Sequence, residues 1–134
     1  PFVKFENIYN LPFDTQSVDQ IYTSYMVQSL SYDEMMDFFK ECKRVIKKGG
    51  TMIVSVPDYF LVADKYIKSK MKIDDVNRIM MQDTKQLLDF LSLSKYLTMA
   101  GFYAIKRISV EFREPPVFSR WFFYGRPLSN LIID

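Results

Sequence analysis

The chain has 134 residues, 49% of them apolar and 25% charged, which is the composition of one ordinary globular domain. Eighteen basic and sixteen acidic residues leave a formal net charge of +2, which gives no general reason to expect a nucleic acid as partner. Histidine is absent and cysteine occurs once, which excludes Ser-His and Cys-His nucleophiles, an intrachain disulfide and a thiolate metal cluster. No apolar run reaches the roughly 20 residues of a membrane span, and we expect a cytoplasmic protein.

The first elements predicted are a strand and a helix. Val18 to Ser24 mix β-branched and aromatic side chains after a turn-like segment, which is typical of a strand. Ser31 and Glu34 have the spacing of a capping box, which predicts a helix start. Apolar residues recur behind it at helical spacing, namely Met35, Phe38, Phe39, Cys42, Val45 and Ile46. This pattern predicts that Cys42 belongs to the core and is not a nucleophile.

The end of this helix and a second strand follow. We expect Lys47 and Lys48 to form a cationic last turn and Gly49-Gly50 to end it in a left-handed conformation. A cationic helix end also explains the basic residues between 43 and 48 without a nucleic-acid site. Thr51 to Val56 then read as a buried strand, which Pro57 ends.

Three helices are predicted next. Residues 59–67 and 74–81 form two short ones, and the lysines at 65, 68, 70 and 72 are predicted to be a solvated face near the substrate site. A clearer helical stripe ends at Gly101 and comprises Leu87, Phe90, Leu91, Ser94 and Leu97.

The last part of the chain predicts two strands. Residues 104–112 alternate between apolar and polar side chains, as a half-buried strand does. Pro115-Pro116 then interrupt the regular structure. An aromatic block (residues 121–124) precedes a final strand near residues 128–133. No helix separates these strands, which indicates an antiparallel hairpin at one edge of an α/β sheet. The aromatic block is interpreted as a packed hairpin or a dimer contact, with a substrate pocket or a membrane interface as alternatives.

Three stretches together resemble the type 11 methyltransferases, and especially a branch of short methyltransferases. The first is Asn7-Ile8-Tyr9-Asn10-Leu11-Pro12-Phe13-Asp14, followed by Ser17-Val18-Asp19-Gln20-Ile21-Tyr22. The second is Glu41-Cys42-Lys43-Arg44-Val45-Ile46-Lys47-Lys48-Gly49-Gly50 before a strand that ends in Val56-Pro57-Asp58. The third is Met99-Ala100-Gly101-Phe102. Each alone is weak, but all three occur in the family's order and spacing.

The resemblance implies a partial Rossmann-like class I methyltransferase fold in one domain, residues 1–134. Such a fold has a mostly parallel sheet that ends in an antiparallel hairpin, with helices on both faces. In the family's strand order, 3-2-1-4-5-7-6, residues 2–6 would be strand 3 and the strand at Val18 would pair with the first strand. Neither that first strand nor the glycine-rich cofactor loop has a counterpart here. We therefore expect an N-terminally truncated domain, whose exposed sheet edge a homodimer or another partner would cover.

The resemblance also implies S-adenosylmethionine as cofactor, bound across the carboxyl ends of the parallel strands. Asn7 would accept a hydrogen bond from the adenine amino group, and the backbone N–H of Ile8 would contact an adenine ring nitrogen. Leu11 and Phe13 would pack near the adenine, or they are simply core residues. No metal is implied.

Ser24 and Tyr25 would face the methionine part of the cofactor and the substrate. The family usually continues with His-x-Leu-Glu-His-Leu, where this chain has Tyr25-Met26-Val27-Gln28-Ser29-Leu30, so no catalytic residue can be named.

Three functions fit these observations. The first is methyl transfer to a small molecule or a glycan-like acceptor, which needs positioning more than a base. The second is a non-catalytic methyltransferase-like domain that serves dimerisation or another interaction. The third, ranked last, is a membrane-surface module that uses Trp121 and Phe122.

Overall fold

The computed structural model describes residues 7–81, 83–110 and 121–127, and for 108–110 and 121–127 the backbone alone. In chain order the elements are β1 (Val18–Ser24), a short 3-10 turn (Val27–Ser29), α1 (Tyr32–Val45), β2 (Ile46–Ser55), α2 (Tyr59–Ile67), α3 (Ile73–Met80), α4 (Phe90–Met99), β3 (Phe102–Val110) and β4 (Trp121–Pro127). Among these residues no helix is long and apolar enough to cross a membrane.

The four strands form one sheet in the order β1-β2-β4-β3. β1 and β2 run parallel, whereas β4 lies antiparallel between β2 and β3. The α/β class and the antiparallel pair at one edge are therefore as predicted. The aromatic block is itself part of strand β4, and the strand expected near residues 128–133 falls outside the described residues, as do residues 111–112 of the other predicted strand.

The boundary between α1 and β2 differs from the prediction. The helix begins with the expected capping box, in which Ser31 Oγ accepts from the Glu34 N–H and a Glu34 oxygen accepts from the Ser31 N–H. It ends at Val45, and Ile46 is already extended, so the prediction that Lys47 and Lys48 form the last turn is wrong. Lys43 and Arg44 occupy that turn instead.

The two glycines serve the irregular start of β2. Pairing with β1 slips between Val18 and Gln20, and Gly49 has a φ of 80° there. A Cβ on Gly50 would lie 2.6 Å from the Ile46 side chain and 2.9 Å from the Asp19 carbonyl oxygen. Since a side chain has no room at this position, the backbone of β2 can approach β1 closely only with glycine.

Most buried side chains belong to one cluster, here called the main core. It joins α1 and α4 to β2, and Tyr32 meets Tyr96 edge to face with ring centroids 5.3 Å apart. Both helices therefore lie side by side on the face of the sheet that carries Met52 and Val54. Cys42 is buried in this core as predicted, and its burial raises the pKa of the thiol.

α4 buries a different stripe from the predicted one. Leu93 and Leu97 are buried and Phe90 is partly buried, whereas Leu87 and Leu91 are exposed. The helix begins only at Phe90, with Asp89 as its cap, so Leu87 lies outside it. Gly101 ends the helix with a φ of 99°, as predicted.

α2 and α3 form a helical hairpin with a core of its own. α2 has the predicted bounds, and α3 begins one residue earlier than predicted. Val62, Met71 and Met80 are the buried members of this hairpin core, and Val76 and Ile79 pack against them. Leu61 packs against the main core and so joins the hairpin to the rest of the molecule.

Candidate functional site at the carboxyl edge of the sheet

β1 and β2 end side by side. Ser24 is paired with Ser55, and the Tyr25 N–H donates to the Ser55 carbonyl oxygen at 2.8 Å. Tyr25 has a φ of 54°, a conformation that costs free energy in a bulky residue and is often found at functional sites. Ligands of open α/β sheets bind outside the carboxyl ends of the strands. The structure thus brings the predicted residues Ser24 and Tyr25 to the edge where a ligand is expected.

Two buried polar atoms lie on the chain beside Tyr25. Ser55 is fully buried and Gln28 is 6% exposed, yet neither Ser55 Oγ nor Gln28 Oε1 has a hydrogen-bond partner within the described ranges. Gln28 belongs to the 3-10 turn that follows β1, and its carbonyl oxygen accepts from the Lys85 N–H at 2.9 Å. Buried polar groups without partners are rare in proteins and are often completed by a ligand or water.

These orphaned atoms fit a polar ligand at this edge. A serine hydroxyl can donate and accept, and an amide oxygen accepts, so together they suit groups such as an amine and a carboxylate. The methionine part of S-adenosylmethionine carries both groups. The side chains at the end of β1 and β2 are therefore chemically compatible with that cofactor.

An ion pair lies just beyond the end of β2, and sequence reasoning missed it. Arg107 donates from Nη2 to Asp58 Oδ2 at 2.8 Å, and its guanidinium lies 5.2 Å from the centre of the Phe90 ring. Asp58 is fully buried and also caps α2 through the Leu61 N–H. Burial raises the pKa of Asp58, although the hydrogen bond from the Leu61 N–H and the charge of Arg107 stabilise its carboxylate. The alternating pattern had indicated only that Arg107 lies on the polar side of its strand.

Asn7 and Ile8 lie near the first turn of α1. Asn7 is exposed, and its Oδ1 accepts from the Tyr9 N–H at 2.9 Å in a local turn. The Tyr9 hydroxyl donates to a Glu34 carboxylate oxygen at 3.2 Å. The pKa of Tyr9 is raised, mainly by burial and secondly by this carboxylate. Ile8 is partly buried against the main core. An amide oxygen has a second lone pair, so Asn7 can still accept from a ligand.

Leu11 and Phe13 lie toward the opposite end of α1. Glu41 accepts from the Leu11 N–H at 2.8 Å, and Arg44 donates to the carbonyl oxygens of Leu11 and Phe13 at 3.2 and 3.0 Å. Leu11 is buried and Phe13 is half-buried. Arg44 is in the last turn of α1, at the amino end of β1, whereas Ser24 and Tyr25 are at its carboxyl end. Leu11 is thus a buried residue and Phe13 only in part, and their predicted contact with the adenine stays a prediction.

Comparison with known proteins identifies the fold. Residues 3–54 match the family described as a methyltransferase domain. No curated protein matches the sequence. The similar solved structures include an S-adenosylmethionine-dependent methyltransferase and possible histamine N-methyltransferase of Thermotoga maritima, which is 20% identical with a TM-score of 0.69. This chain has a class I methyltransferase-like fold.

The alignments cover nearly all of this chain but only part of each similar structure. Alignment with the Thermotoga maritima protein covers 94% of this chain but 64% of that one. A methyltransferase of Methanosarcina mazei is 19% identical over 95% of this chain and 67% of its own, with a TM-score of 0.64. Human N-acetylserotonin methyltransferase, in complex with S-adenosylmethionine, is 11% identical over 92% and 33%, with a TM-score of 0.61. The chain thus spans less than two thirds of the Thermotoga maritima protein.

Proposed function

We propose that residues 1–134 are one methyltransferase-like domain that binds S-adenosylmethionine and transfers its methyl group to a small-molecule or glycan-like acceptor. The observation that carries the proposal is the carboxyl edge of β1 and β2. There Tyr25 has a strained backbone, and within the described residues the buried atoms Ser55 Oγ and Gln28 Oε1 have no hydrogen-bond partner. The methyltransferase-like fold supports it independently.

The proposed roles follow from position. Ser24 and Tyr25 would contact the methionine part of the cofactor, with the orphaned atoms beside them. Asn7 would accept from the adenine amino group and the Ile8 N–H would contact its ring. Leu11 and Phe13 would support this segment through the hydrogen bonds of their backbone with Glu41 and Arg44 of α1. The cofactor supplies a methyl group already activated on a sulfonium, so the task of the protein side chains is to position it in line with the acceptor.

Calorimetric titration of the 134-residue chain with S-adenosylhomocysteine tests cofactor binding. Saturable binding that is lost in Asn7→Ala and Tyr25→Ala would support the proposal. Asn77→Ala and Tyr22→Ala are matched controls, because both residues are exposed and lie outside the proposed site. Binding that Asn7→Ala and Tyr25→Ala leave unchanged would contradict the assigned roles. Absence of binding by a folded chain would instead favour the second candidate function.

That second candidate is a non-catalytic interaction or dimerisation domain, and the edge of the sheet favours it. β1 lies at one edge of the described sheet, and Tyr22 on it is half-exposed. An open strand edge readily pairs with another chain. Light scattering after size exclusion would distinguish the two: a dimer that Tyr22→Lys dissociates, without cofactor binding, supports the interaction domain.

A further inference from the structure

The connection between α2 and α3 combines positive charge with exposed apolar side chains. This hairpin tip runs from Lys65 to Ile73 and contains four lysines and no acidic residue. Its exposed apolar residues are Tyr66, Ile67 and Ile73. Ile67 ends α2 and Ile73 begins α3, so both lie at the same end of the hairpin. The hairpin tip, whose lysines indicated only a solvated face, therefore also exposes large apolar side chains.

The exposure of these apolar residues is a property of the hairpin's packing. Met71, in the middle of the tip, is buried and contributes to the hairpin core together with Val62 and Met80. It holds the tip in a defined shape while Ile67 remains 78% exposed. The last turn of α2 is closed by the Lys70 N–H, which donates to the Lys65 carbonyl oxygen at 2.8 Å. The apolar side chains are therefore presented outward by an ordered turn.

The surrounding charges leave the tip positive. Asp64 pairs with Lys68 at 2.9 Å, and Asp75 pairs with Arg78 beyond the tip. Asp74 adjoins the tip, and Lys70 and Lys72 are exposed within it. Counting residues 64 to 78, five basic residues face three acidic ones. A positive surface with projecting isoleucines matches an anionic lipid headgroup layer above an apolar interior.

We propose that the hairpin tip docks on an anionic membrane surface, with Ile67 and Ile73 entering the interface and the lysines contacting the headgroups. Nucleic acid would also attract the lysines, but it offers no apolar phase for the isoleucines. The proposal does not depend on cofactor binding, because it uses no residue of the carboxyl edge. No helix of the described residues spans a membrane, and interfacial docking requires none.

Vesicle flotation of the 134-residue chain tests this proposal. The chain is expected to float with phosphatidylcholine vesicles that contain phosphatidylserine, and to float less with phosphatidylcholine alone or at high salt. The double variant Ile67→Ser/Ile73→Ser should lower partitioning about tenfold. The double variant Lys70→Glu/Lys72→Glu should lower it at least as much, because it reverses two charges.

Matched controls distinguish docking through the hairpin tip from nonspecific adhesion to vesicles. Leu91→Ser on α4 removes a leucine that is 78% exposed, the same fraction as Ile67, and should leave flotation unchanged. The double variant Lys40→Glu/Lys95→Glu changes exposed lysines of α1 and α4 and should have a smaller effect than Lys70→Glu/Lys72→Glu. Circular dichroism and urea midpoints check that each variant is folded.

Three results would overturn the proposal. One is equal flotation with neutral and anionic vesicles. Another is an equal loss in Leu91→Ser and in the isoleucine double variant, which would indicate nonspecific adhesion. The third is binding of a single-stranded RNA oligonucleotide that Lys70→Glu/Lys72→Glu abolishes, with no flotation of the unmodified chain, which would reassign the tip to nucleic acid.

Discussion

The sheet with α1 and α4 differs from the α2–α3 hairpin in how much apolar surface each buries. Among the described residues, the main core contains fifteen buried residues and the hairpin core three, so the free energy of burial is concentrated in the first region. A unit with so few buried side chains opens locally at a lower free energy than the whole molecule unfolds. We therefore expect the hairpin to be the less stable region.

The two regions also differ in what they leave exposed. Among the described residues, the region of the sheet with α1 and α4 has two buried polar atoms without partners, Ser55 Oγ and Gln28 Oε1, which suits a small polar ligand. The hairpin instead exposes apolar side chains at its tip, which suits a surface. Asp58 lies between the regions, because it follows β2, caps α2 and pairs with Arg107 of β3. The two proposed functions, ligand binding and surface contact, therefore fall in different regions of the chain.

The largest effect is expected from truncating the main core. Phe39 is fully buried, and Phe39→Ala should lower the free energy of unfolding by about 3–5 kcal/mol, since it removes a large side chain and leaves a cavity. Met80→Ala removes a buried side chain of the hairpin core and should lower it less. Urea denaturation followed by circular dichroism measures both.

Amide hydrogen exchange tests the same difference in stability between the hairpin and the main core. Met80→Ala should accelerate exchange in residues 59–80 and leave α1 protected, whereas Phe39→Ala should accelerate exchange throughout. If Met80→Ala destabilised α1 and the hairpin equally, the two regions would form a single cooperative unit and the comparison would fail.

The next effect concerns the ion pair between the regions. Arg107→Met keeps an apolar contact with Phe90 but leaves the buried Asp58 carboxylate without its charged partner. Because Arg107 is partly exposed, we expect a loss of about 2–3 kcal/mol, below the roughly 3–5 kcal/mol of a fully buried pair. Urea midpoints near neutral pH measure this loss.

Asp58→Asn is the matched comparison. Asparagine can still cap α2 and removes the buried charge, so it should cost less than Arg107→Met. A larger cost for Asp58→Asn would show that the charge of Asp58 stabilises the fold beyond its pairing with Arg107.

The sequence predicted the parts of the fold that local chemistry determines. The bounds of β1 and α2 and the capping box of Ser31 are confirmed, since strand composition and cap spacing are local signals. The terminal antiparallel pair was predicted from the missing helix between two strands. The end of α1 was not, because the stop signal of the two glycines was attributed to the helix and belongs to the irregular start of β2.

Contacts between distant segments could not be predicted. Glu41 and Arg44 lie on α1, yet their side chains hydrogen-bond to the backbone of Leu11 and Phe13, 30 to 33 positions away. The Arg44 N–H groups lower the pKa of Glu41, as expected for a carboxylate in such a clamp. These hydrogen bonds therefore join two separate stretches of the sequence into one structural unit. The pairing of Asp58 with Arg107, 49 positions away, likewise requires the sheet order.

A smaller effect is expected at the start of α1, which contrasts with the start of α3. Ser31 accepts a hydrogen bond from a free backbone N–H of α1, whereas Lys72 at the start of α3 has no side-chain oxygen to do so. Ser31→Ala should cost about 1 kcal/mol in the free energy of unfolding. Lys72→Ser should slow hydrogen exchange in α3, and no change there would argue that fraying of α3 does not limit the hairpin.

The smallest effect is a change in pH dependence at Glu34. Hydrogen bonds from Ser31, and then Lys85, lower the pKa of Glu34 from 4.5 to about 2. A carboxylate whose pKa is lowered by folding stabilises the protein at a pH above the pKa of the unfolded state. This contribution fades as the pH falls toward the pKa of the folded state.

Glu34→Gln keeps an oxygen for the Ser31 N–H and removes the charge. Its deficit in unfolding free energy should therefore be full above pH 4.5 and vanish near pH 2. Because Lys85 Nζ donates to Glu34 Oε1 at 3.2 Å, Lys85→Met should remove part of the same pH dependence. A deficit that is constant across this range would mean that the charge of Glu34 contributes nothing and that α1 is held by its cap and the main core alone.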